Sequence, residues 1–195
     1  SFFLEVDVTD AQRLREQVSE DPSVVVTMPH VLIKACATAL GEVPALNSVM
    51  YNDSILVFEE INLGVAVALD DGLVVPVIRN AESMSVFEIS DATHDLAVKA
   101  REGRLMPDAT VGGTFTISVL GRVDGFTPIL NTGQTAILGA GRVVEKPVAR
   151  DGEVAVRQMI TLSLTVDHQA VDGAVAAEFL ELLQELLESP SDLFR

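Results

Sequence analysis

Asp167-His168-Gln169-Ala170-Val171-Asp172-Gly173-Ala174 stands between two runs of different period. Before it, Met159 to Val166 alternates as a strand does; after it, Ala174 to Leu187 repeats apolar residues at helical spacing. The chain therefore turns from strand to helix here, with a histidine at the end of the strand and Asp-Gly four residues later. That order is a good way to hold an imidazole at a site. The same residues also suit an ordinary polar turn, with Gly173 at positive φ and Asp172 capping the helix.

Upstream, the periods sort the chain into short elements. Phe2 to Val8 alternates like a strand, and Thr9-Asp10 offers an N-cap for a helix ending near Glu20. After an Asp21-Pro22-Ser23 turn, Pro29 suits the first turn of a helix whose apolar face carries Val31, Leu32, Ala35, Cys36, Ala39 and Leu40. Cys36 is therefore read as core, and His30 as a capping or packing residue. Strands Ser48–Tyr51 and Ser54–Phe58 flank Asn52-Asp53. Ile61–Leu69 and Leu73–Ile78 flank Asp70-Asp71-Gly72, a hairpin signal.

Ser85-Val86-Phe87-Glu88 has capping-box spacing and opens a helix to about Arg101, with His94 exposed in its middle. Strands are expected at Thr114–Val119 and Gln134–Gly139, and a second hairpin pairs Arg142–Ala149 with Glu153–Val166 across Asp151-Gly152. Strands and helices mix without strict alternation. The expected architecture is one α+β domain over residues 1–195, a mixed, largely antiparallel sheet with helices on one face.

With 195 residues, 48% of them hydrophobic, and a net charge of -16, the chain reads as a well-buried interior under an acidic surface. Such a surface repels nucleic acid and anionic membranes, and no apolar run is long enough to span a bilayer. One cysteine excludes an intramolecular disulfide and suits a reducing, cytoplasmic compartment. No secretory signal pattern opens the sequence, and no metal-ligand spacing stands near His30 or His94.

Five segments, in order, carry a resemblance over nearly the whole chain: Glu5-Val6-Asp7-Val8-Thr9, Val43-Pro44-Ala45-Leu46-Asn47, Asp71 to Arg79, Gly112-Gly113-Thr114-Phe115-Thr116-Ile117-Ser118, and the His168 stretch. Together they resemble the catalytic domain of the dihydrolipoamide acyltransferases of 2-oxo acid dehydrogenase complexes. The wider superfamily, with chloramphenicol acetyltransferase, shares only the His-x-x-x-Asp-Gly element. The resemblance implies the two-layer sandwich of that superfamily. It also implies a homotrimer with active sites between subunits, possibly within a larger cubic or icosahedral core, and transfer of an acyl group between dihydrolipoamide and coenzyme A.

In that chemistry an imidazole near its titration range takes the thiol proton, so His168 is the expected general base. Alternation puts Thr114, Thr116 and Ser118 on one face of a strand, which is either a hydroxyl-bearing solvent face or a donor surface. By resemblance, Ser118 donates its hydroxyl to the oxyanion from the neighbouring subunit, and Asp172 supports the histidine's surroundings. Coenzyme A is implied as substrate, and a lipoyl group from a lipoyl domain on another domain or chain. The 2-oxo acid dehydrogenase and dihydrolipoamide dehydrogenase components are implied as partners.

No phosphate-cradling loop is legible, since Gly139-Ala140-Gly141 lacks the rest of a dinucleotide fingerprint; Arg122 and Arg142 are the candidate phosphate contacts. Ser118, where succinyltransferases have threonine, favours an acetyl or branched-chain acyl group. Four departures stand out. The Arg-Lys-containing helix that the family places before the first strand is not matched before Ser1-Phe2, and neither are lipoyl or subunit-binding domains. Gln169 replaces an arginine, and Val119–Phe126 is short. The rival readings are an acetyltransferase with a small diffusible acceptor and a catalytically silent structural core.

Overall fold

The alternating run before His168 is the longest strand of the protein. In the computed structural model, which describes residues 1–195 apart from Pro22 and Asp151, the described residues form four α-helices and eleven strands. The helices are α1 (Thr9–Val18), α2 (Met28–Glu42), α3 (Val86–Arg101) and α4 (Gly173–Glu188). The strands are β1 (Phe2–Asp7), β2 (Ser48–Tyr51), β3 (Ser54–Val57), β4 (Leu63–Val65), β5 (Val67–Leu69), β6 (Gly72–Val74), β7 (Val77–Ile78), β8 (Phe115–Val119), β9 (Ala136–Ala140), β10 (Val144–Arg150) and β11 (Glu153–Val166). Pro22 of the expected Asp21-Pro22-Ser23 turn, and Asp151 of the expected Asp151-Gly152 turn, lie outside the described residues. Among the described residues no helix is long and apolar enough to cross a membrane.

The main sheet runs β1-β11-β9-β8-β4-β7, with β10 also paired to β11. β8 is parallel to both β4 and β9, and every other pair is antiparallel, so the sheet is mixed and largely antiparallel as the sequence suggests. Alternation gives each strand one inward set. Val6, Phe115, Ile117, Leu138, Ile160, Leu162 and Leu164 are fully or almost fully buried, against Leu32 of α2 and Phe179 and Leu183 of α4. Burying each such side chain contributes about 1.5–3 kcal/mol, so this layer carries most of the fold. The Phe115 and Phe179 rings, 5.7 Å apart and tilted by 51°, join the middle of the sheet to α4. Cys36 is completely buried on α2 in the same layer, and burial pushes its thiol pKa up.

Two local expectations are corrected. Thr9-Asp10 does not cap α1. The helix starts at Thr9, with Val8 at the cap position and no side-chain cap there, while the Asp7 carboxylate just before it accepts the Thr9 amide at 3.0 Å and its hydroxyl at 2.6 Å. The hairpin around Asp70-Asp71-Gly72 forms but splits: β4 and β7 pair within the main sheet, while β5 and β6 leave it as a separate two-stranded ribbon. Pro76 has no amide hydrogen to continue the ladder, and the Ala66 amide donates instead to Ile117 of β8, so the ribbon lifts away from the sheet.

The start of α2 is sensitive to pH. His30, buried, accepts the Thr27 amide on Nδ1 at 3.1 Å, which requires that nitrogen to be unprotonated. Burial first, then the charge of His94, pushes its pKa below the ordinary histidine value, against the opposing hydrogen bond to the Val25 carbonyl. A lowered folded-state pKa means that the unfolded chain binds the proton more readily. The stability from this contact is therefore complete above the ordinary value and is lost as pH falls through it toward the lowered one. The urea midpoint is expected to drop between about pH 7 and pH 5, and His30→Gln is expected to flatten that drop. Identical pH profiles for the two proteins would contradict this role.

Candidate active site

β11 delivers His168 to the edge of the fold, where its side chain is exposed. The Asp167 amide donates to Thr135 O at 2.8 Å, continuing the β9 ladder past its last strand residue, and the Ala170 and Val171 amides both return to Asp167 O at 3.0 Å. The Asp167 carboxylate accepts the Gln169 amide at 3.0 Å. Asp172 then caps α4, its Oδ1 accepting Ala174 N at 3.0 Å and Val175 N at 3.1 Å. The turn is thus built from backbone and two aspartates, and the imidazole makes no hydrogen bond to any described residue. Gly173 departs from expectation: it has no positive φ and is simply the first residue of α4, with extended Asp172 (φ -91°, ψ 177°) making the corner.

Ser118 sits near the end of β8, half-buried, on the face away from the helices. That face is not a solvent face, because Thr114 and Thr116 on it are almost wholly buried. What covers it is the loop 120–134, which folds back over β9. Gly141 makes the return possible: a Cβ there would lie 2.0 Å from Asp124 O. At Gly139 a Cβ would lie 2.5 Å from Ser163 Oγ and 3.0 Å from Pro128. Ser163 Oγ donates to Phe126 O at 2.5 Å, tying the loop to β11. The two glycines that lack a nucleotide fingerprint therefore serve to seat this loop.

Between the loop and the β5–β6 ribbon lies a cleft of about 340 Å³, lined by Ala66, Leu73, Val75, Phe126, Thr127, Pro128, Ile129, Ile137 and Asn131, with Thr116 and Ser118 at its floor. A second cleft of about 370 Å³ adjoins it and shares Val75 and Asn131. A third, of about 740 Å³, shares Gly112, Gly113 and Thr132 with the second. The three form a groove along β8. Beneath it runs a chain of side-chain hydrogen bonds: Asn131 Nδ2 donates to Thr116 Oγ1 at 2.9 Å, Thr116 Oγ1 to Gln134 Oε1 at 2.7 Å, and Gln134 Nε2 to Gly113 O at 3.0 Å. None of these bonds involves the Ser118 hydroxyl, which has no partner among the described residues. It remains free to donate into an apolar cleft.

Register decides how far His168 lies from Ser118. Ser118 is level with Gly139 and hence with Ser163, whereas His168 follows five residues after Ser163 and two strands away. At about 3.3 Å per residue and 4.8 Å per strand the separation is on the order of 15–20 Å. The two side chains of one chain cannot meet at one acyl group.

The candidate phosphate contacts separate. Arg142 pairs with Asp124 at 2.6 Å, both exposed, while Arg122 is exposed with no carboxylate partner among the described residues. Arg79, in the Asp71–Arg79 segment, spends its guanidinium on the Asp108 and Val111 carbonyls, both at 3.1 Å. Sequence reading gave Asn131 no chemistry and passed over Gln134. Alternation reads Gln134 only as the first residue of the strand Gln134–Gly139.

Comparison with known proteins gives the family. The family model described as 2-oxoacid dehydrogenases acyltransferase (catalytic domain) matches residues 1–195. Two Bacillus subtilis (strain 168) proteins are similar. The dihydrolipoyllysine-residue acetyltransferase component of the acetoin cleaving system is 41% identical, over 97% of this chain and 49% of the relative. That of the pyruvate dehydrogenase complex is 40% identical, over 95% and 44%. The chain spans about half the length of these curated relatives.

Azotobacter vinelandii dihydrolipoamide acetyltransferase, studied for the role of a serine, a histidine and an asparagine in its catalytic mechanism, superposes with a TM-score of 0.92 at 37% identity, over 100% of this chain and 83% of that one. The cubic core of a pyruvate dehydrogenase multienzyme complex gives the same values. Chloramphenicol acetyltransferase, at 15% identity and a TM-score of 0.61 over 95% of this chain and 86% of that one, shares the fold.

Proposed function

Since the chain belongs to the 2-oxoacid dehydrogenase acyltransferases (catalytic domain), we propose that it transfers an acetyl group between dihydrolipoamide and coenzyme A, at a site completed by a second copy of itself. The observation that carries the reading is the Ser118 hydroxyl, without a partner among the described residues, at the floor of an apolar cleft, together with an exposed His168 whose side chain makes no hydrogen bond to a described residue. In the Azotobacter enzyme the asparagine follows the histidine by four positions, the spacing of His168 and Asp172 here. The acetyltransferase names of the relatives favour acetyl over a branched-chain group.

In the proposed reaction, His168 of one copy takes the proton of the attacking thiol, and the sulfur adds to the thioester carbonyl lying over Ser118 of the next. The oxyanion so formed accepts the Ser118 hydroxyl hydrogen bond. Collapse breaks the original carbon–sulfur bond, and the departing thiolate recovers the proton from His168. Each thiol is regenerated as the other is acylated, so no metal or redox step is needed. The His168–Ser118 separation within a chain requires the second copy, and the apolar rim of the cleft, with Ile129 88% exposed, suits being covered by one. A trimer, and a larger core like that of the solved cubic assembly, is the proposed form. The lipoyl group arrives on another domain or chain, with the 2-oxo acid dehydrogenase and dihydrolipoamide dehydrogenase components as partners.

The test is acetyl transfer from acetyl-coenzyme A to dihydrolipoamide and, separately, to small alcohols, with sedimentation of the same sample. Transfer to dihydrolipoamide by a trimer or a multiple of it is expected. Transfer to alcohols alone would favour a diffusible acceptor, an assembled but inactive sample a silent core, and full activity in a monomer would refute the shared site.

A further inference from the structure

Asn131 is held where the Ser118 cleft meets the next one, and its orientation is set from a distance. The chain of bonds under the groove ends on the Gly113 carbonyl, which can only accept. Gln134 must therefore turn its Nε2 toward Gly113 and its Oε1 toward Thr116. The single proton of Thr116 goes to that Oε1, so the Thr116 oxygen can only accept from Asn131 Nδ2. Asn131 consequently presents its carboxamide oxygen elsewhere. No described residue donates to that oxygen, and it is not among the buried atoms left without a partner, so it opens to the groove. The polarity of four groups has been used to fix one acceptor.

Resting on the acetyltransfer reading above, we propose that Asn131 Oδ1 accepts the amide N–H nearest the sulfur of coenzyme A, and so sets how deep the thioester sits over Ser118. Thr116, which holds Asn131, and Ser118 are neighbours on one strand face, a repeat of about 6.5–7 Å. In coenzyme A two carbons separate the sulfur from the first amide nitrogen, which suits a single such repeat. In dihydrolipoamide six or more carbons intervene, so its amide falls beyond the same acceptor. The contact therefore distinguishes the two thiols of the reaction.

Two small donors isolate it: S-acetyl-N-acetylcysteamine, and the ester counterpart with oxygen in place of that N–H, each assayed with dihydrolipoamide as acceptor in the assembled protein. The parent is expected to favour the amide donor about three- to tenfold in kcat/KM. Asn131→Ala is expected to bring the two donors within a factor of two, and Thr116→Val, which unties Asn131, to reduce the preference as well. Because each ratio is taken within one variant, a general loss of folding cancels from it. Equal use of the two donors by a parent that is active with acetyl-coenzyme A, or an unchanged ratio in Asn131→Ala, overturns the assignment alone. A parent inactive with every donor overturns the acetyltransfer reading and this inference with it.

Discussion

Replacing His168 with alanine is expected to lower turnover by about 10²–10⁴-fold, the range that a positioned general base supplies. The turn should survive the change, because it is fastened by the returns of Ala170 and Val171 to Asp167 O and by the Asp172 cap, none of which uses the imidazole. Thermal denaturation of the variant is expected to match the parent, while its rate with saturating acetyl-coenzyme A and dihydrolipoamide collapses. A variant that keeps half the parent's rate would remove His168 from the mechanism.

Ser118→Ala is expected to cost about 10²–10³ in kcat, the usual consequence of losing one oxyanion donor. The hydroxyl has no partner to strand among the described residues, so the change should cost little stability. Because the donated bond strengthens as charge develops on the oxygen, the loss should appear in kcat with KM nearly unchanged. A rise in KM at constant kcat would instead make Ser118 a ground-state contact. The two variants also test each other. In an assembly mixed from His168→Ala and Ser118→Ala chains, some interfaces join an intact serine to an intact histidine. Activity well above either variant alone is expected, and its absence in a demonstrably mixed assembly would argue for a site within one chain.

Much of this was legible from period alone. The strand from Glu153 to Val166 is bounded as its alternation suggests, and Ser85 and Glu88 cap α3 reciprocally, with the Ser85 amide donating to Glu88 Oε2 at 2.8 Å and the Glu88 amide to Ser85 Oγ at 3.2 Å. Both are local facts, written within a few residues. What lay hidden depends on the chain returning to itself. Thr116 looks like a solvent-facing strand residue until the loop 120–134 is laid over it, and Gly139 and Gly141 look like a failed fingerprint until that loop needs their missing side chains. Gly173 misled for the opposite reason. Asp-Gly suggests a left-handed corner, but extended Asp172 turns the chain unaided. The distance between His168 and Ser118 could not be read at all, since it follows from the pairing of β8, β9 and β11.

Cys36 has the last consequence. In the transfer proposed above, acyl groups pass from one sulfur to another, among reagents able to modify an accessible thiolate. Walled inside the helical layer and held in its unreactive protonated form, the protein's own sulfhydryl is beyond their reach. A protein engaged in the proposed transfer is thereby kept from becoming a substrate of it.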